Sequence, residues 1–382
     1  MNIQLLNKIA AVGLNQLDDS YNVGENIENP DGIMVRSAVM HEMEFAPSLK
    51  AIARAGAGVN NIPIERCSES GIVVFNTPGA NANGVKELAI CALLLAARDI
   101  VGGIAWANTL TEDVAKQVEK GKSKFAGTEL MGKTLGVIGL GAIGGKIANT
   151  AIHLGMNVIG CDPFLSIEGA WNLNHRVSRA ATYDEVFEKS DYITLHVPAT
   201  KDTKNMICAE SIAKMKNGVK IINLSRADLV NAAELKAALA EGKVSAYVTD
   251  FPTEEVINTP GVVAIPHLGA STEESEDNCA VMAARELDDY LKNGNIKNSV
   301  NYPNVEMPRS GAARICVLHQ NVPSILTKIT AAVADEGLNI ENMTNKSKGE
   351  NAYTVLDVSS MPSDDAIARI SAVEGINRVR VI

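Results

Sequence analysis

A glycine-rich turn near the middle of the chain restricts the possible folds more than any other feature. It follows Leu135–Ile138, an apolar run with β-branched residues, which indicates a strand buried on both faces. The turn Gly139-Leu-Gly-Ala-Ile-Gly144 then opens a helix that we predict to run to about Leu154. Such a turn lets the backbone approach a pyrophosphate, and the helix N-terminus directs its N–H groups at the phosphates. Asp162 ends the next predicted strand, where an acid can bind the hydroxyls of an adenosine ribose.

This order of strand, turn, helix, strand and acid predicts a dinucleotide-binding domain, with a purely structural βαβ unit as the alternative. NAD is favoured over NADP, because the carboxylate of Asp162 would repel a 2′-phosphate and no arginine follows it directly. The residues predicted to contact the cofactor here are Gly139, Gly141, Ala142, Ile143, Gly144 and Asp162.

Length and charge limit the other possibilities. A chain of 382 residues is long enough for two or three domains. The net charge of −10 and the pI of about 5.2 argue against a nucleic-acid or anionic-membrane partner. The N-terminus is a poor signal peptide and no apolar run is long enough to cross a bilayer, so we expect a cytoplasmic protein. The six cysteines are widely spaced and form no CxxC pair, so no metal site is expected.

Alternating strands and helices extend on both sides of the turn. The pattern predicts an α/β protein with two doubly wound, parallel-sheet domains of the Rossmann or flavodoxin type. Two long helices are predicted, at 84–106 and 271–292. The predicted domains are a discontinuous one at 1–96 and 267–300, a nucleotide-binding one at 97–266, a linker at 301–312 and a small C-terminal one at 313–382. The last has the order βαββαβ, typical of a small α+β regulatory domain.

Three side chains near predicted strand ends form a set suited to hydride transfer from a secondary alcohol. Such a reaction needs a base for the hydroxyl proton, a cation for the substrate carboxylate and an acid to orient the base. His267 is the candidate base, Glu254 the candidate orienting acid and Arg226 the candidate carboxylate fork. Taken singly, each residue has an ordinary explanation as a loop or surface side chain, and spacing alone does not bring the three together.

The motifs resemble those of the D-isomer-specific 2-hydroxyacid dehydrogenases from Met34 to about Val300. The matching segments are Val35-Arg-Ser37, Arg54-Ala-Gly-Ala-Gly-Val-Asn-Asn61, Asn76-Thr-Pro78, Gly127-Thr-Glu-Leu130, the glycine-rich turn, Asn223-Leu-Ser-Arg226, Phe251-Pro-Thr-Glu254 and Pro266-His-Leu-Gly-Ala-Ser-Thr272. The resemblance implies that Arg226, Glu254 and His267 are the catalytic set. It also implies further NAD contacts at strand ends: His196, Val197, Pro198, Leu224, Ser225, Arg226, Asp250, His267, Gly269 and Ala270.

Within that family the chain most resembles members that oxidise 3-phospho-D-glycerate, a step of L-serine biosynthesis. The resemblance implies substrate contacts at Arg36, Ser37, Arg54, Ala57, Gly58 and Val59, and we add Lys86 as a phosphate contact. The chain departs from the family at two points. Asp228 follows Arg226 in place of glycine, and Thr249 occupies the usual aspartate position with Asp250 one place later. A local β-bulge could restore the contact of Asp250 with the nicotinamide.

The C-terminal domain resembles the ACT domains, which bind amino acids. His319, Asn321 and Asn339 fall on positions that bind a serine effector in such domains, although Ser324 replaces the usual glycine. A purely structural domain is the alternative. The long apolar helices and the C-terminal domain also predict a homodimer or homotetramer. Two other functions stay open: reduction of an unphosphorylated acid such as hydroxypyruvate or glyoxylate, and an NAD-sensing interaction protein like the dehydrogenase-like corepressors.

Overall fold

The first 80 residues build a parallel sheet of five short strands. The computed structural model describes residues 1–382 and separates into two compact units, Met1–Ala80 with Glu276–Ile382, and Asn81–Ser275. The first sheet has the order β2-β1-β3-β4-β5. Its elements are β1 (Asn2–Leu5), α1 (Ala11–Leu14), β2 (Asn22–Gly24), β3 (Gly32–Val35), β4 (Ala51–Arg54), α2 (Ile64–Glu69) and β5 (Val73–Phe75).

The second unit contains a seven-stranded parallel sheet in the order β12-β11-β10-β9-β6-β7-β8. The strand order reverses beside β6, which has β7 on one side and β9 on the other. Its elements are α3 (Ala82–Ala97), α4 (Ile100–Ala107), α5 (Val114–Gly121), β6 (Thr134–Ile138), α6 (Gly144–His153), β7 (Asn157–Cys161), α7 (Ile167–Trp171), β8 (Val177–Arg179), α8 (Tyr183–Lys189), β9 (Tyr192–Leu195), α9 (Ala209–Lys214), β10 (Val219–Asn223), α10 (Ala232–Ala240), β11 (Val244–Thr249) and β12 (Val262–Ala264).

The prediction of one long helix at 84–106 is wrong. Helix α3 ends at Ala97, Arg98 is extended, and the Asp99 side chain starts α4 by accepting a 2.9 Å hydrogen bond from the Gly102 N–H. No single helix is long and apolar enough to cross a bilayer. Helices α3 and α4 reach that length and apolar character only when taken together, and the pair is bent by 72°. Half of the residues of α3 are buried, as expected of a core helix.

The chain then returns to the first unit through α11 (Glu273–Asn293) and ends in a four-stranded antiparallel sheet. That sheet has the order β14-β15-β13-β16 and confirms the predicted βαββαβ domain. Its elements are β13 (Ala313–Gln320), α12 (Ile325–Asp335), β14 (Ile340–Lys348), β15 (Asn351–Val358), α13 (Asp364–Ser371) and β16 (Ile376–Val381). With the two parallel sheets, this confirms the predicted α/β fold class.

The C-terminal sheet shares a hydrophobic core with α11 and the N-terminal sheet. Leu318 and Tyr353 of the C-terminal sheet belong to the same buried cluster as Phe75 and Tyr290. The predicted linker also packs into this cluster through Tyr302 and neighbouring residues. The C-terminal domain is therefore a packed part of the first unit rather than a module on a loose tether.

A buried ion pair joins the C-terminal sheet to the segments before it. Arg314 and Asp357 both have fully buried side chains and form a two-pronged contact, at 2.6 Å from Nε to Oδ1 and 2.9 Å from Nη2 to Oδ2. The guanidinium also donates to the carbonyl oxygens of Asn293 and Met307, and the backbone N–H of Ser310 donates to the carboxylate. Each charged atom therefore has a partner, which is the condition for burying a charge at tolerable cost.

A buried acid on α11 makes stability depend on pH. Glu286 is 7% exposed, its Oε1 accepts a 2.7 Å hydrogen bond from Asn298, and its Oε2 has no partner. Burial raises the pKa of Glu286 to about 8, against smaller opposing effects of Asn298 and Lys297. The folded protein thus keeps a proton that the unfolded chain releases above about pH 4.5, so stability falls as pH rises through this window to about 8.

We expect Glu286→Gln to remove this loss, because the amide keeps the hydrogen bond but cannot ionise. The variant should match the parent near pH 5 and exceed it near pH 9 by on the order of a few kcal/mol, measured by urea unfolding. Glu274→Gln, at an exposed acid on the same helix, is the control and should not change the pH profile. Parallel pH profiles for the parent and Glu286→Gln would contradict the assignment.

Ser324 has a left-handed backbone at the start of α12. Its φ is 64°, and its side chain makes no capping hydrogen bond. Ser324→Gly should therefore raise the free energy of unfolding by roughly 0.5–1 kcal/mol, since glycine adopts this conformation without strain. Ser363→Gly should instead lower it by roughly 0.3 kcal/mol, because Ser363 caps α13 by accepting from the Ala366 N–H. Thermal unfolding of both variants tests the pair; a loss of stability in Ser324→Gly would be evidence against strain at this residue.

Candidate active site

The glycine-rich turn connects β6 to α6 and leaves space beside its backbone. A Cβ at Gly144 would lie 1.9 Å from the Gly139 carbonyl oxygen, so glycine is required there for helix and strand to pack. A Cβ at Gly141 would meet nothing within 4 Å. Gly141, Ala142 and Ile143 thus lead into the helix N-terminus past an open surface, which fits the pyrophosphate of a dinucleotide.

Asp162 is fixed beside this turn. Its Oδ2 accepts a 2.8 Å hydrogen bond from the Leu140 N–H and its Oδ1 a 2.9 Å bond from the Phe164 N–H. These bonds orient the carboxylate and leave further lone pairs for the hydroxyls of a ribose. The geometry agrees with the predicted role of Asp162.

His196 follows β9, on the other side of the switch point from β7. Its Nε2 lies 2.8 Å from the Thr194 hydroxyl, and its Nδ1 is buried without a partner. Burial lowers the pKa of His196 to about 3, so the imidazole is neutral at physiological pH. Val197 and Pro198 continue the chain past the strand end, where ligands of open α/β sheets bind.

The segment after β10 is held by side-chain bonds within the sheet edge. Ser225 donates to the Leu195 carbonyl oxygen at 2.6 Å, and the buried Asn223 amide donates to the Arg226 carbonyl oxygen at 2.8 Å. Leu224 is buried and Arg226 is exposed. The sequence analysis gives Asn223 no role in the site. Its place in the same Asn-Leu-Ser-Arg motif as Arg226 could have indicated one.

Asp250 is buried in the site at the end of β11. A bulge is present in this strand at Ser245, because Val219 pairs with Val244 and Lys220 with Ala246. Burial raises the pKa of Asp250, and the charges of His267 and Arg226 lower it in part. Its Oδ1 has no partner, so the carboxylate retains a free acceptor for a ligand.

His267 and Arg226 both contact the ring of Phe251. The imidazole and phenyl centroids are 4.4 Å apart, and the Arg226 Cζ is 5.4 Å from the phenyl centroid. The structure thus brings the candidate base and the candidate carboxylate fork together. It does not join Glu254 to them, because the Glu254 side chain is exposed and makes no hydrogen bond with His267.

The predicted substrate loops of the first unit are held by two asparagines, Asn7 and Asn76, to which the sequence analysis gives no role. The Asn7 Oδ1 accepts from the backbone N–H groups of Arg36 and Ser37 at 3.0 and 2.9 Å. The Asn76 Nδ2 donates to the Ala57 carbonyl oxygen at 2.6 Å. Asn7 follows β1 and Asn76 follows β5, so both lie at the carboxyl ends of parallel strands, where ligands of open α/β sheets bind.

The cationic residues predicted to bind the substrate have acidic or polar neighbours. Arg36 forms an ion pair with Glu276 at 2.5 Å, and Arg54 donates to Asn61 at 3.3 Å. In the second unit, the Lys86 ammonium lies 3.5 Å from a Glu87 carboxylate oxygen. Gly58, Val59 and Lys86 remain predicted contacts.

The three residues predicted to bind an effector are not joined by hydrogen bonds. His319 is 1% exposed and bonds to Gln320 O and Thr354 Oγ1, and burial lowers its pKa. Asn321 donates to Gly349 O, and Asn339 donates to Glu341. Asn321 alone of the three lines a groove of about 890 Å³ between the C-terminal sheet and α2.

Comparisons with known proteins agree with this geometry. Residues 93–269 match the family model of the D-isomer specific 2-hydroxyacid dehydrogenase NAD binding domain. A D-3-phosphoglycerate dehydrogenase of Escherichia coli is 32% identical over 350 residues, which cover 88% of this chain and 82% of that protein. The chain belongs to the D-isomer specific 2-hydroxyacid dehydrogenase family. The match confirms NAD as the predicted cofactor.

Other members of the family cover the chain to different extents. A D-3-phosphoglycerate dehydrogenase of Methanocaldococcus jannaschii is 36% identical over 324 residues, 82% of this chain but 59% of that protein. The chain thus spans about three-fifths of that relative's length. A solved NAD⁺-bound 3-phosphoglycerate dehydrogenase of Entamoeba histolytica has a TM-score of 0.62 and 31% identity, and the match covers 79% of this chain and 98% of that one.

We expect different effects from the same substitution at two of the three glycines of the turn. Gly141→Ala should fold normally but weaken NAD binding about tenfold or more, because its methyl group enters the space left for the pyrophosphate. Gly144→Ala should instead destabilise the fold, because its methyl group would overlap the Gly139 carbonyl oxygen. Calorimetric titration with NAD and thermal unfolding separate the two effects; unchanged NAD affinity in Gly141→Ala would contradict the placement.

Proposed function

We propose that the protein oxidises 3-phospho-D-glycerate to 3-phosphohydroxypyruvate with NAD, in L-serine biosynthesis. The observation that carries the proposal is the placement of Arg226 and His267 on one aromatic ring, at the sheet edge of an NAD-binding domain. The phosphorylated substrate is supported by the relatives, which are named D-3-phosphoglycerate dehydrogenases at 30–37% identity.

Each proposed residue has a task in the reaction. The Arg226 guanidinium binds the substrate carboxylate, and an imidazole nitrogen of His267 accepts the proton of the C2 hydroxyl. NAD, when bound, accepts the hydride from C2. The buried carboxylate of Asp250 lies near enough to His267 and Arg226 for their charges to lower the pKa of Asp250, against the larger effect of burial. Glu254 is proposed to hold the imidazolium, which requires the exposed loop that carries it to move toward His267.

The remaining parts of the chain have proposed roles as well. Residues 1–96 and 267–300 bind the substrate, with Arg36, Arg54 and Lys86 at its phosphate, and residues 97–266 bind NAD. Residues 313–382 form an ACT-like regulatory domain that binds L-serine. The protein is a cytoplasmic homodimer or homotetramer; the apolar helix α4, which has no buried residue, is a candidate subunit contact.

The deciding experiment measures NADH formation from NAD and either 3-phospho-D-glycerate or D-glycerate, with and without L-serine. We expect a strong preference for the phosphorylated acid. His267→Ala should lower kcat by roughly 10²–10⁴-fold, the usual contribution of a general base. His153→Ala, at an exposed histidine of α6, is the matched control and should retain full activity.

Each other outcome has a distinct meaning. Faster turnover of D-glycerate, or faster reduction of hydroxypyruvate, would replace the phosphate assignment but leave the catalytic set intact. Full activity in His267→Ala would remove the base. Turnover unchanged by L-serine would leave the C-terminal domain with a structural role. No turnover of any acid, with NADH-dependent capture of a partner protein, would favour the interaction protein.

A further inference from the structure

We propose that Phe251 is a positioning residue, whose ring holds the imidazole of His267 and the guanidinium of Arg226 at the spacing at which both can act on one substrate. The inference rests on the proposed function, which assigns those two side chains to the reaction. Nothing in the family match or in the relatives' names assigns a role to this phenylalanine.

The geometry places both functional side chains against the same ring. The His267 ring is tilted by 45° to the phenyl plane with centroids 4.4 Å apart, and Arg226 Cζ is 5.4 Å from the phenyl centroid. Both separations lie within the range of about 6 Å over which a ring face attracts a cation. The ring nitrogens of His267 make no hydrogen bond, and Arg226 bonds only to the neighbouring Ser225 carbonyl oxygen through its guanidinium.

The backbone of Phe251 is itself fixed, so that it can serve as a support. Its N–H donates a 3.0 Å hydrogen bond to the Thr249 Oγ1, and Thr249 is fully buried at the end of β11. Asp250 precedes it and is 1% exposed, and Pro252 follows it. The proline restricts the backbone of Phe251, which directly precedes it.

The surroundings of Phe251 differ from those of a residue that only fills the hydrophobic core. Phe251 is only half-buried, and it borders a cavity of about 260 Å³ lined also by Asp228, Asn231 and Tyr247. A smaller side chain at this position would enlarge a cavity that already exists. The contacts of the ring with His267 and Arg226 are therefore the more specific ones, and we expect substitutions of Phe251 to fold.

The ring of Phe251 also interacts with the charge that develops on His267 during the proposed reaction. His267 becomes a cation when it takes the hydroxyl proton, close to the permanent cation of Arg226. The negative face of the phenyl ring attracts this developing cation. An aliphatic residue at 251 would keep an apolar surface but lose both the ring stacking and this attraction.

The test compares Phe251→Leu with Phe251→Tyr in the full chain, with 3-phospho-D-glycerate and NAD. Phe251→Leu should lower kcat about tenfold with an unchanged KM for NAD. The acid limb of kcat/KM should move to lower pH by roughly 0.5, because loss of the ring makes the protonated imidazole less favourable. Phe251→Tyr keeps the ring and should restore both quantities.

Phe187→Leu is the matched control, since Phe187 is 3% exposed in the core of the same unit. It should lower the melting temperature and leave the acid limb in place. A Phe251→Leu variant with parental kcat and an unmoved acid limb, or with the behaviour of the control, would overturn the proposal. Should Phe251→Leu fail to fold, Phe251→Met takes its place with the same expected results.

The same measurements distinguish a wrong proposed function from a wrong assignment of Phe251. The parent protein is measured beside each variant, so absence of its turnover with 3-phospho-D-glycerate counts against the substrate and not against Phe251. If the parent acts on another 2-hydroxy acid, the comparison is made with that acid, and the same shift in the acid limb is expected.

Discussion

The ion pair of Arg314 and Asp357 holds together the segments on which the first unit depends. A buried pair of charges gains little by itself, because removing both from water costs about as much as their attraction returns. Here the guanidinium also bonds to the last residue of α11 and to the segment before β13. Losing Arg314 would leave the Asp357 carboxylate and two backbone carbonyl groups without this partner, and losing Asp357 would leave a buried guanidinium without its counter-charge. The pair therefore fixes where the C-terminal sheet sits rather than adding much stability.

The parallel sheet of the second unit fixes the backbone of the candidate active site. His196, Arg226 and Asp250 come from three neighbouring strands that all end at the same edge, and short hydrogen bonds at that edge hold the connecting backbone. The sheet therefore supplies rigid positions, while the loop with Glu254 stays exposed. A site built in this way has the backbone of these three residues fixed before any ligand arrives.

Sequence reasoning located the parts of this site that local chemistry dictates. The glycine-rich turn and Asp162 follow from strand, turn and helix patterns within about 30 residues, and the βαββαβ order follows from alternating periodicity. It missed β1 and β2, which are only partly buried and contain no continuous apolar run, and the break at Asp99, where capping overrides a continuous apolar run. The shifted aspartate pointed to the bulge that β11 contains, whereas the contact of Phe251 with His267 depends on tertiary packing, which no local pattern shows.

The shared core of the first unit also constrains the order in which the chain can fold during synthesis. Its N-terminal strands bury the apolar side chains of one face against α11 and the C-terminal sheet, which are translated later than the strands. Residues 81–275 contain their own core clusters and can fold while the chain is still on the ribosome. One face of the N-terminal sheet packs into a cluster within residues 33–74, whereas the other face must wait for partners more than 200 positions away, and this delay leaves apolar strand residues exposed on the nascent chain.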